Sequence, residues 1–157
     1  MTAEAYAATR AARARPVVLG FDDVAEGRES SFVVEVTPEA VDRFVEFSGD
    51  DNPLHTSDDF ATSRRFEGRV VHGAYLAALV SRLVGTELPG RDAVVQQMQI
   101  TFRKPTYLGE TVTVTGRVER KFEPLRAILV SVTIESAAPA GEPRVVATGK
   151  VQVGFTA

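Results

Sequence analysis

Two histidines occur in the 157 residues, His55 and His72, and both fall in the stretch with the weakest periodicity. A free imidazole titrates near pH ~6.5, which suits proton transfer at neutral pH. Asp50 lies five positions before His55, in Ser48-Gly49-Asp50-Asp51-Asn52-Pro53-Leu54-His55. On a helix that spacing would make the two side chains diverge. Asn52-Pro53 makes the segment a turn instead, and a turn can fold carboxylate and imidazole toward one point. A carboxylate placed there holds a water or keeps the imidazole in one tautomer. Asp51 is the competing acid, since adjacent side chains on a loop usually point apart. Spacing alone leaves a plainer assignment open, in which Asp50 caps a turn and each histidine is a hydrogen-bonded structural residue.

Gly73 supplies a second constellation. It opens a helix, so its backbone N–H is among the four donors with no intrahelical partner. Those donors and the positive end of the helix dipole suit an oxygen that becomes negative during a reaction. A glycine there lets a ligand approach the backbone closely. An ordinary turn glycine would look the same in sequence.

The elements that must position these groups follow from capping and periodicity. Ser31 to Val36 reads as a short strand, and Thr37-Pro38-Glu39 then starts a helix. Val41, Phe44 and Val45 give that helix one apolar face, and Ser48-Gly49 ends it. Asp50 to His55 reads as loop, and Ser57-Asp58-Asp59 caps a short helix through Arg65. From Gly73 to about Val84 runs a longer helix. Leu76, Leu79, Val80 and Leu83 form its apolar stripe, and Ala74, Ala77, Ala78 and Ser81 a small-residue face, a combination that predicts a largely buried helix. From residue 93 the period falls to 2. Met98, Ile100 and Phe102 form one apolar run, Val112, Val114 and Val118 a second, Ile128 to Ile134 a third, and Val145, Ala147, Val151 and Val153 a fourth. Helices followed by antiparallel strands predict an α+β domain, a curved sheet wrapped around a central helix.

Composition bounds the function. Length favours one domain, here residues 17–157, preceded by an Ala- and Arg-rich arm over 1–16 that is expected to be helical or disordered. A formal charge of −3 argues against a broad grip on nucleic acid or anionic lipid. The chain has no cysteine, hence no disulfide, thiolate metal site or Cys nucleophile. Apolar runs stay well short of a membrane span, and the N-terminus is a poor secretory signal. The expectation is a cytoplasmic protein with neither nucleic-acid nor membrane partner.

Residues 48–90 resemble the signature of the MaoC-like (R)-specific enoyl-CoA hydratases of the hotdog fold. The matching elements are Asp50, Asn52-Pro53-Leu54-His55, Asp58, Ala61, Phe66, Val71-His72-Gly73 and Leu88-Pro89-Gly90. Phe102-Arg103-Lys104-Pro105 followed by Gly109-Glu110 resembles the family's strand-turn element. The resemblance implies a single hotdog unit that forms a homodimer and hydrates trans-2-enoyl thioesters reversibly to (R)-3-hydroxyacyl thioesters. Asp50 and His55 match the pair that binds and activates water. Gly73 matches the residue whose N–H binds the thioester carbonyl, and Ser81 a helix serine near the site. Asn52, Pro53 and His72 belong to the supporting loops.

No metal and no separate cofactor is expected, because coenzyme A or phosphopantetheine enters as part of the substrate. An acyl carrier protein is a possible partner. Arg64, Arg65, Arg69, Arg103, Lys104 and Lys121 are the candidate phosphate contacts. The alternatives are a hotdog thioesterase, against which residues 73–86 hold no Asp or Glu, and a catalytically silent acyl-thioester-binding module.

Overall fold

A computed structural model describes residues 15–156. The arm expected over residues 1–16 lies, apart from Arg15 and Pro16, outside the described residues. Among these, the strands β1 (Glu29–Glu35), β2 (Ala93–Phe102), β3 (Thr111–Phe122), β4 (Ala127–Ala137) and β5 (Arg144–Phe155) form one sheet. Its order is β1-β3-β4-β5-β2, and every pair is antiparallel. The expected period-2 residues Val112, Val114, Val118, Ile128, Val130, Val132, Ile134, Val151 and Val153 are buried on the inner face.

Among the described residues, four α-helices accompany the sheet. Thr37 Oγ1 accepts the Ala40 N–H and Pro38 fills the first turn of α1 (Pro38–Ser48), which closes on Gly49 in the left-handed region at φ 71°. The segment expected as loop contains a single helical turn, α2 (Pro53–Thr56), because Asn52 Oδ1 caps the Leu54 N–H at 2.9 Å. Next is α3 (Asp58–Ser63), capped by Ser57 as expected. It ends before Arg65, whose φ of 68° cannot continue a helix.

The long helix α4 (Gly73–Thr86) lays Leu76, Leu79, Val80, Leu83 and Val84 against the sheet. A fully buried Leu such as Leu83 contributes about 1.5–3 kcal/mol relative to an exposed one. Gly116 of β3 permits the close approach, since a Cβ there would lie 2.5 Å from Leu83 Cδ2.

Three expectations need correction. α4 is covered on one side only, because one sheet has one inner face; Ala74, Ala78, Ser81 and Gly85 are exposed. In β5 the buried residue is Val146 and not Val145. Ile134 pairs with Ala147 and Glu135 with Val145, so Val146 is an extra residue that flips the alternation. In edge strand β2, Met98 and Ile100 are half-buried, and Phe102 is 51% exposed.

Candidate functional site

The loop after α1 is tied down by its own side chains. Ser48 Oγ accepts the Asp50 N–H at 3.2 Å, and Asp50 Oδ1 accepts the Asn52 N–H at 3.4 Å. Asn52 and Pro53 then start α2, which turns His55 inward. His55 Nδ1 lies 2.6 Å from the Val70 carbonyl oxygen. A carbonyl only accepts, so Nδ1 carries the proton, and in the neutral ring Nε2 is left with a lone pair for use as a base.

Val70 belongs to a strap that runs from α3 to α4. The Val70 N–H donates to the Leu54 carbonyl at 3.1 Å, and the Val71 N–H to the Thr106 carbonyl at 2.8 Å. Arg69 Nε donates to the His55 carbonyl at 2.7 Å while its guanidinium pairs with Asp42 of α1. Consecutive strap residues therefore hold His55 at its ring and at its backbone.

The strap continues into His72, the residue preceding α4. Its Nε2 is 3.0 Å from the Asp50 carbonyl oxygen and 3.8 Å from Asp50 Oδ2. Facing an acceptor, Nε2 carries the proton, so the two histidines hold opposite tautomers. Their rings stack with centroids 3.7 Å apart at 27°. His72 is buried, whereas the Asp50 side chain is 54% exposed and open to solvent.

One carboxylate oxygen of Asp50, one ring nitrogen of His55 and one of His72 lie within 4.8 Å of one another. Two hydrogen bonds of ~2.8 Å meeting at a water with a tetrahedral angle span about 4.5 Å, which lies inside that limit of 4.8 Å. A divalent cation suits the trio less well. His72 presents an N–H and not a lone pair to the centre, and ligation through Nε2 would break its bond to Asp50.

Gly73 and His55 line one cleft of about 340 Å³, walled by Phe66, Val71, Leu76 and Phe102. The Gly73 N–H meets no acceptor among the described residues. A Cβ on Gly73 would sit 2.8 Å from two carbons of the Phe102 ring, so this helix start accommodates only glycine without a shift. Burial pushes the Tyr75 phenol above its ordinary pKa, against the opposing pull of Arg82, so Tyr75 is a neutral wall beside Phe44. A larger open groove of about 830 Å³ crosses the outer sheet face at Arg117 and Lys150. Two of its cations are paired, Lys150 with Glu119 and Arg117 with Glu29.

The structure thus brings Asp50, His55 and His72 together and puts Gly73 in the cleft that His55 lines. Asn52 and Pro53 shape the turn. Ser81 lies eight residues beyond Gly73, about 12 Å along the helix axis, exposed and outside the cleft. Among the candidate phosphate contacts, Arg103 and Lys104 line the cleft. Arg69 is committed to Asp42, Lys121 donates to the Phe21 carbonyl, and Arg64 lies over Phe60. Sequence reasoning missed the Val70 carbonyl, the Arg69 tie and the Phe102 ring. The first two act through backbone groups that no side-chain pattern reveals.

Residues 23–139 match the family model described as MaoC like domain. An (R)-specific enoyl-CoA hydratase from Rhodospirillum rubrum is 35% identical over 111 residues, covering 68% of this chain and 77% of that protein. A 3-hydroxybutyryl-CoA dehydratase from Methylorubrum extorquens is 39% identical over 101 residues, 64% of each chain. Among solved structures, an (R)-hydratase from A. caviae involved in PHA biosynthesis superposes with a TM-score of 0.74 at 28% identity, covering 84% of this chain and 97% of that one.

Proposed function

The chain belongs to the MaoC-like family and is a hydratase/dehydratase, and on that footing we propose that it adds water reversibly to trans-2-enoyl thioesters, with Asp50 and His55 acting on the water and Gly73 on the carbonyl oxygen. The observation that carries this assignment is the gathering of the Asp50 carboxylate and a ring nitrogen of His55 within 4.8 Å of each other, beside a cleft that His55 and Gly73 both line.

In such a substrate Cβ is electrophilic only to the extent that the thioester oxygen accepts charge. Water attacks Cβ, the C–C π pair moves to form an enolate, and negative charge collects on that oxygen. The Gly73 N–H, at the positive end of α4, stabilises it; losing one such donor typically costs ~3–4 kcal/mol of transition-state stabilisation. Asp50 and the lone pair on His55 Nε2 orient the water and take one of its protons. The proton is returned at Cα as the enolate collapses, so the water supplies both OH and H. Acid–base assistance of this kind contributes about 10²–10⁴-fold. Dehydration of the 3-hydroxyacyl thioester is the same path reversed.

The (R) configuration follows the R. rubrum relative. The thiol carrier is coenzyme A or the phosphopantetheine of an acyl carrier protein, either reaching the cleft past Arg103 and Lys104. A homodimer covers the exposed small-residue face of α4, supported by exposed Val94 and Val95 on edge strand β2. Light scattering on the purified chain tests that assembly. The activity test is hydration of crotonyl-CoA, followed by loss of the enoyl absorbance and chiral analysis of the product. Folded Asp50→Asn and His55→Gln proteins should be nearly inactive; wild-type rates in either would reject the assignment.

A further inference from the structure

Asp50 is half exposed on a loop, yet the reaction read above needs its carboxylate held in place. His72 connects to every part of that arrangement. It immediately precedes the Gly73 amide in the chain, its Nε2 meets the Asp50 carbonyl at 3.0 Å, and its ring lies 3.7 Å below that of His55. Phe44 of α1 lies beside it with ring centroids 5.2 Å apart, and Tyr75 of α4 packs edge-on against Phe44. The other titratable groups near the pair are Asp50 itself and the Arg69–Asp42 pair behind His55.

We propose that His72 is a positioning residue for this reaction: as a fixed Nε2–H donor it anchors the Asp50 backbone, and as a stacked ring it sets the plane of His55. The inference rests on the hydratase reading. Its physical basis is that His72 has only one workable neutral tautomer. Nδ1 is buried with no hydrogen-bond partner among the described residues. Moving the proton to Nδ1 would bury an unpaired donor and set the Nε2 lone pair against a carbonyl oxygen, two penalties at once. The donor to Asp50 therefore does not switch off by tautomer exchange. His72 touches neither water nor substrate in this account; it acts through Asp50 and His55.

Two variants separate donor from ring. His72→Phe keeps an aromatic ring of similar size and removes the donor, while His72→Gln keeps an N–H near the Nε2 position and removes the ring. Loss of a supporting partner of this kind lowers kcat on the order of 10–100-fold, with little change in KM, because orientation in the transition state is lost and not substrate binding. His72→Gln should recover a clear part of the loss. Wild-type kcat in folded His72→Phe, or a raised KM with kcat unchanged in both variants, would overturn the proposal.

A second measurement needs neither variant to fold. With only two histidines, the ¹⁵N-edited imidazole spectrum of the wild-type protein contains two ring systems. At a pH where ordinary imidazoles are neutral it should show one Nδ1–H and one Nε2–H ring; two rings of the same tautomer would overturn the inference. A wild-type chain inactive on every enoyl thioester would sink the hydratase reading and the positioning role that rests on it, whereas two rings of one tautomer in an active chain would sink the inference about His72 alone.

Discussion

Gly73→Ala separates a structural from a chemical role for the start of α4. The added Cβ would stand 2.8 Å from two Phe102 ring carbons and 3.2 Å from a third. Carbon–carbon contacts are optimal at about 3.5–4.0 Å, so the ring must give by roughly 0.7 Å or more. Phe102 is 51% exposed and free to swing outward. The clash thus falls at or below the low end of the ~1–3 kcal/mol typical of overpacking. The better helix propensity of alanine offsets up to ~1 kcal/mol of it. Net destabilisation stays under about 1 kcal/mol, a melting shift of at most ~4 °C. The chemical effect is larger. The methyl group crowds the approach to the Gly73 amide from the cleft, and shutting the thioester oxygen out from that donor should lower kcat about 10²–10³-fold. The assay is initial-rate hydration of crotonyl-CoA at 25 °C beside thermal melts. Adding Phe102→Ala relieves the clash and should restore stability without restoring rate. Folded Gly73→Ala protein with wild-type kcat would refute the oxyanion role.

Two further outcomes are expected. Glu110 is buried, with Oε2 accepting from Ser136 Oγ at 2.5 Å and Oε1 from Arg144 at 2.7 Å. Glu110→Ala strands both partners and should cost about 3 kcal/mol, the low end for a broken buried pair because Arg144 is a quarter exposed; chemical denaturation measures it, and a cost below ~1 kcal/mol would contradict the reading. Asp51 is exposed, and its side chain makes no hydrogen bond among the described residues. Asp51→Asn should keep the hydration rate within about twofold, as a surface change does; a loss matching Asp50→Asn would move the catalytic acid by one residue.

Thr37-Pro38 marked the start of α1 because a cap and a proline are local chemistry, and the four downstream strands were visible because apolar and polar residues alternate along them, most clearly the Val and Ile of β3 and β4. Val146 was not, since a bulge inserts a residue without changing composition and Val145 is equally apolar. The single turn α2 escaped notice because four residues cannot display a 3.6 period. The exposure of Ala74 and Ala78 was hidden for a different reason: small residues suit both a tight core and a surface shared with another chain. Within the site, Asp50, His55 and Gly73 stood out as residue types with reactive groups in a turn or at a helix start. What fixes the protons of His55 and His72 is the Val70 and Asp50 carbonyls, and every residue has one of those.

The account turns on Asp50 and His55 serving the same water. A single water that delivers OH to Cβ and a proton to Cα must do so on one face of the alkene. Hydration of crotonyl-CoA in D₂O, with the relative configuration at Cα and Cβ read by NMR, tests this directly. Deuterium and hydroxyl added to the same face, with the rate lost in both Asp50→Asn and His55→Gln, is the predicted result. Addition to opposite faces, or loss of rate in only one of the two variants, would contradict it.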